Sequence, residues 1–154
     1  MGVVACSAKF LFHISGNLET FDDYRNTNIA GVLVVLAGIP FAILATRKNV
    51  YKGAIGFGDG VKEGIKSTLI AALMICFFTY IYLKYMEPDL VESFVEQYKL
   101  QMDEKNIDEE NLKKGEEFVR ALYSPFKQST LALIFTLFPG VLVSLISAGF
   151  LRTR

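Results

Sequence analysis

Charged and apolar positions are segregated along this chain of 154 residues. Three stretches carry no charge. Residues 29–45 (IAGVLVVLAGIPFAILA) end at Thr46-Arg47-Lys48, residues 67–83 (STLIAALMICFFTYIYL) lie between Lys66 and Lys84, and residues 128–151 lie between Lys127 and Arg152. At about 1.5 Å per residue, 17 helical residues cover roughly 26 Å of a hydrocarbon core about 30 Å thick. Snorkelling Lys and Arg stems at the ends extend that reach. The pattern predicts transmembrane helices over 29–45, 67–83 and 128–151. Residues 2–14 (GVVACSAKFLFHI) are apolar but short and enclose Lys9. They read as a first membrane helix, incomplete at this length, with an interfacial helix as the alternative. Val3-Val4-Ala5-Cys6 matches a lipoprotein cleavage box, but no signal precedes it and the match is set aside.

Between the second and third charge-free stretches the period changes. Leu90, Val91, Phe94, Val95, Tyr98 and Met102 recur at helical spacing, with Glu92, Glu96, Lys99 and Asp103 elsewhere on the wheel. Pro88 suits the first turn. A second helix is expected from Asn106, which has capping-box spacing to Glu109, with Asp108 in support. Its apolar positions are Leu112, Phe118, Val119 and Leu122, and Ser124-Pro125 ends it. Residues 88–123 thus form an acidic helical hairpin, expected to stand off the membrane. Self-packing of its two stripes is the leading reading, and docking of a partner the alternative. Its acidity disfavours an anionic lipid surface.

Composition narrows the classes. The chain is 52% hydrophobic, with a mean hydropathy of +0.36. Its 16 basic and 16 acidic residues cancel, so there is no basic field to attract nucleic acid. Lysine and arginine density sets the orientation. The 47–66 loop holds five such residues and the C-terminus adds Arg152 and Arg154, against Arg25 alone in 15–28. Residues 47–66 and the C-terminus are therefore expected in the cytoplasm, and 15–28 and 86–127 outside. Both termini inside requires an even number of crossings, which favours four.

The 47–66 loop is rich in glycine (Gly53, Gly56, Gly58, Gly60). It matches neither phosphate-binding motif, so a tight turn that lays Ile55 and Phe57 in the interface is preferred to a phosphate cradle. Asp59 and Glu63 suit the start of the following helix. The charge-free stretches lack ionisable groups for coupled transport. A lone His13 and two cysteines, Cys6 and Cys76, supply neither metal spacing nor a triad. The carboxylates of 86–127 lack a calcium-loop pattern. Lys9 and His13 share a face and read as snorkelling groups. No catalytic, cofactor-binding or metal-binding residue is assigned.

Gly31, Gly38, Ala42 and Ala45 offer a close-packing face on the 29–45 helix. Ser129, Thr136, Ser144 and Ser147 can bond across the bundle or to their own carbonyls. Pro40 and Pro139-Gly140 are expected to bend or break their spans. Phe77, Phe78, Tyr80, Tyr82 and Tyr85 form an aromatic belt.

The order of features also carries a resemblance. A charge-free span ending in basic residues is followed by FGDGVKEGIK (57–66), a span ending TYIYLKYMEPDL (79–90), an acidic helical insert and a last span containing FPG (138–140). This resembles the small bacterial membrane proteins catalogued as a domain of unknown function (number 4199), over roughly residues 24–152. The resemblance implies a four-helix membrane protein of a bacterial inner membrane and carries no activity. The candidate interface or structural residues are Phe57, Gly58, Asp59, Gly60, Lys62, Gly64, Pro88, Phe94, Tyr98, Pro139 and Gly140. The expected fold is an all-α integral membrane bundle of about four helices with an extracytoplasmic amphipathic hairpin. The expected partners are the lipid bilayer and either a protein bound through 88–123 or further copies of the chain, with no nucleic acid. The expected role is a non-enzymatic accessory or scaffold subunit. The alternatives are a small oligomeric transporter or channel shaped by Pro40, Pro139 and Gly140, and a lipid-modifying enzyme using Asp59.

Overall fold

The computed structural model describes residues 1–14, 21–103 and 108–153. The side chains of residues 5, 8, 9, 12–14, 21–25 and 103 fall outside that description. Six α-helices follow one another: α1 (Gly2–Ile14), α2 (Phe21–Asn49), α3 (Phe57–Ile81), α4 (Leu90–Asp103), α5 (Glu109–Leu122) and α6 (Pro125–Leu151). A single π-helical turn, Tyr82–Met86, follows α3. All described regular elements are helical. The protein is an all-α membrane protein.

Among the described residues, three helices are long and apolar enough to cross a membrane: Asn26–Asn49, Phe57–Met86 and Pro125–Leu151. Each contains one of the charge-free stretches. The segment expected as a first membrane helix at 2–14 is the 13-residue helix α1. The side chains of Lys9 and His13 lie outside the described residues.

Two boundaries differ from the sequence reading. α3 starts at Phe57, so half of the loop placed at 47–66 is helix. Charge marks where apolar sequence stops, not where a helix does. α2 and α6 run unbroken through Pro40 and Pro139. Each proline removes one backbone donor and the helix continues around it.

Packing divides the chain into two units: Met1–Cys76 with Ala132–Arg154, and Phe77–Leu131. In the first, Ile39, Ile43 and Ile55 form a buried cluster with Leu36, Tyr51, Val143 and Leu151 against it. Val35 and Ala71 form another, covered by Met1 and Ile75. Ile55, expected in the interface, is instead core. α1 joins this unit through its start: Met1 fills the space beside Gly38, and Gly2 lies against Met74 and Ala71.

The second unit contains the hairpin. Leu90, Phe94 and Val95 of α4 are buried, whereas α5 has no buried residue. The Phe94 and Tyr123 rings meet edge to face at 4.9 Å, and the Tyr98 ring fills the space beside Gly115. Lys99 pairs with Glu116 at 3.2 Å, and Arg120 pairs with Glu92. α5 begins at Glu109 behind Asp108, whose side chain makes no cap bond. Asn106, expected as that cap, lies outside the described residues. Pro125 takes the first position of α6, with the Ser124 carbonyl accepting from the Gln128 amide at 3.0 Å.

Candidate functional site

Two features of the first unit bring sequence-selected residues together. The first is a seam between α3 and α6. A Cβ added to Gly60 would lie 3.0 Å from the Ala148 Cβ. One at Gly64 would lie 2.7 Å from both Cβ and Oγ of Ser144, and one at Gly140 would collide with Thr68. Each step of four along α3 is a step of four back along α6. Small residues at this spacing let two backbones approach, which replaces the hydrophobic drive missing between helices in lipid. Ile43 of α2 reaches the same place, 3.2 Å from the Gly64 position.

The hydroxyls of the seam turn back on their own helices. Thr68 donates to the Gly64 carbonyl at 2.9 Å, Ser144 to Gly140 at 2.7 Å and Thr136 to Ala132 at 2.7 Å. Ser129 does the same to Phe126 at 2.9 Å. These four buried hydroxyls are satisfied within their own helix, so the seam is held by shape.

The second feature closes one end of this unit. The Thr153 amide donates to the Ile55 carbonyl at 3.0 Å, and the Ile55 amide donates to Thr153 Oγ1 at 2.8 Å. Arg47 donates through Nε to the Gly53 carbonyl at 2.7 Å and through Nη1 to the Leu151 carbonyl at 3.3 Å. The guanidinium therefore satisfies orphan carbonyls of the turn and of the α6 C-terminus at once. Gly53 sits at φ +96°, a conformation open to glycine, after Lys52 at φ 51°. The glycine-rich stretch is thus a hydrogen-bonded turn followed by a helix whose buried glycines face α6.

The remaining selected residues divide clearly. Phe57, Gly58, Asp59 and Lys62 are exposed on the first turns of α3, and nothing lies within 4 Å of a Cβ at Gly58. Phe94 and Tyr98 organise the hairpin, and Pro88 is exposed in the turn before α4. Pro139 lies inside α6. Of the face proposed on α2, Gly38 receives Met1 and Ala45 is exposed. The seam partners Thr68, Ser144 and Ala148 escaped the sequence reading as a set. Their signal was present: 60, 64, 68 and 140, 144, 148 both advance by four. In the belt, Tyr82 is buried and stacks on Phe78 with ring centroids 6.0 Å apart. Lys84 lies over the Tyr80 and Tyr85 rings, 5.3 Å from each centroid.

Among the described residues no three metal-binding side chains gather. A family model described as "Protein of unknown function (DUF4199)" matches residues 1–153. The chain belongs to this family. The match takes in α1, which the sequence resemblance had left out. No curated protein and no solved structure matches the chain.

Proposed function

We propose that the protein is a non-enzymatic accessory or scaffold subunit of a bacterial inner-membrane assembly, acting by contact. The observation that carries this reading is the hairpin. α5 is amphipathic, yet none of its residues is buried, and Phe118 stands 65% exposed. On α4, Leu100 is equally open. Paired helices that leave large apolar side chains uncovered, outside any charge-free stretch, offer a surface for another protein. Residues 86–127, which contain the hairpin, hold 11 of the chain's 16 acidic residues, which disfavours anionic lipid as the occupant.

In this reading the 47–66 region and the C-terminus face the cytoplasm, as their lysines and arginines direct. The hairpin faces the other side. A pull-down from native membranes in mild detergent tests the idea. The intact chain is compared with a Phe118→Glu, Leu100→Glu variant and with a version lacking 88–123. A stoichiometric partner lost from both altered baits supports the subunit reading. Equal recovery of every co-purifying protein by all three baits overturns it.

A further inference from the structure

Arg47 ties three chain segments together and leaves other cations beside it. Its guanidinium donates to the carbonyls of Gly53 and Leu151. Lys48, Lys52 and Arg152 are the immediate chain neighbours of Arg47, Gly53 and Leu151. All three are exposed. Among the described residues, no group pairs with or accepts from their side chains. No acidic residue occurs from Tyr24 to Gly58 or from Phe118 to Arg154. The carboxylates at this end belong to α3, where Glu63 pairs with Lys66 at 2.9 Å and the exposed Lys62 offsets the exposed Asp59. A surplus of positive charge therefore remains around Arg47.

The second observation is what adjoins these cations. This is the end at which the candidate spans of α2 and α6 finish and that of α3 begins. Lys48 follows Phe41 and Leu44 by seven and four residues, on one face of α2. Both are exposed, Phe41 by 71%. Arg152 follows Leu145 and Gly149 by seven and three residues beyond the same face of α6, and both of these are exposed too. Val50, in the turn between Lys48 and Lys52, is also open. On two helices an unpaired cation thus crowns an exposed apolar stripe.

We infer that this end of the first unit preferentially binds anionic phospholipid. The headgroup phosphate lies against Lys48, Lys52 and Arg152, and the acyl chains lie along the stripes of α2 and α6. Charge selects an anionic lipid over a zwitterionic one, because the cations have no carboxylate of their own to satisfy them. The stripes select a lipid over a soluble phosphate, which has nothing to lay on Phe41 or Leu145. Flexible lysine and arginine stems let the cations reach a headgroup while their methylenes stay on apolar surface. Arg47 is the scaffold of the site, since its bonds hold the three segments together. This inference stands independently of the hairpin and of which side of the membrane this end faces.

Lipid association in reconstituted bilayers tests it. The purified full chain is placed in phosphatidylcholine with a trace of spin-labelled phosphatidylglycerol or spin-labelled phosphatidylcholine. The motionally restricted fraction of each label gives their relative affinity. Phosphatidylglycerol should be preferred several-fold, and added salt should narrow the preference. Lys48→Gln, Lys52→Gln and Arg152→Gln together should bring the ratio close to one. Lys113→Gln, Lys114→Gln and Lys127→Gln together remove the same charge from elsewhere in the chain and should leave the preference intact. Excess soluble glycerol phosphate should not displace the lipid. The idea is overturned by equal affinity of the native chain for the two lipids. It is equally overturned by a preference that survives the first triple variant or falls as far in the second. Displacement by glycerol phosphate would also overturn it and assign the cations to a soluble anion. If the first variant fails to insert, the native chain and the second variant decide alone.

Discussion

The α3–α6 seam and the α4–α5 hairpin solve the same problem by different means. Each places a glycine against a side chain of the facing helix. In the seam the facing atoms are Ser144 Cβ and Oγ and the branched Thr68 side chain, rooted at the helix surface. In the hairpin it is the Tyr98 ring, at the far end of a side chain that can swing away. The seam keeps its hydroxyls on its own carbonyls, whereas the hairpin joins its helices by Lys99–Glu116 and Arg120–Glu92. Shape holds helices together where ion pairs are costly; rings and charges do so where water can solvate the charges.

This difference can be broken experimentally. Phe94→Ala should have the largest effect, about 3–5 kcal/mol for loss of a buried ring. Amide exchange should rise across 90–122 and stay unchanged in α2 and the seam. Equal loss in both would show one cooperative body instead of two. Gly64→Ala and Gly140→Ala come next, at about 1–3 kcal/mol for overpacking, read as a lower midpoint of unfolding in mixed detergent micelles. Gly115→Ala sharpens the contrast. Tyr98 can turn aside, and the helix gains up to about 1 kcal/mol of propensity, so the midpoint should hold or rise. A loss there as large as at Gly64 would erase the distinction.

Smaller effects come from single polar contacts. Thr153→Val leaves the Ile55 amide without its acceptor, at about 1–3 kcal/mol if no water replaces it. Exchange at the Ile55 amide should report this directly. Glu92→Gln should change hairpin stability by no more than about 1 kcal/mol, because both partners are about half exposed. Added salt should shrink even that difference.

The spans were legible because an absence of charge over 17 or more residues has few other meanings. The hairpin helices were legible because a stripe at 3.6-residue spacing is written within one segment. The seam was not. Gly60 sits among charged residues and reads as a turn former, Gly64 reads only as part of a motif, and their partners lie some 80 residues away. Only the register between two helices turns 60, 64 and 68 into complements of 148, 144 and 140. Ile55 likewise became core only through packing on Ile39 and Ile43 and an exchange of bonds with Thr153.

That exchange also orders events during synthesis. Residues 55 and 153 are 98 positions apart. The turn between α2 and α3 emerges early, but the Ile55 amide, the Ile55 carbonyl and Arg47 Nη1 obtain their final partners only after α6 has been made. Until then the first two spans present an unfinished end. α6 therefore completes the turn between α2 and α3, and a chain stalled before residue 153 leaves the Ile55 amide and carbonyl without these partners.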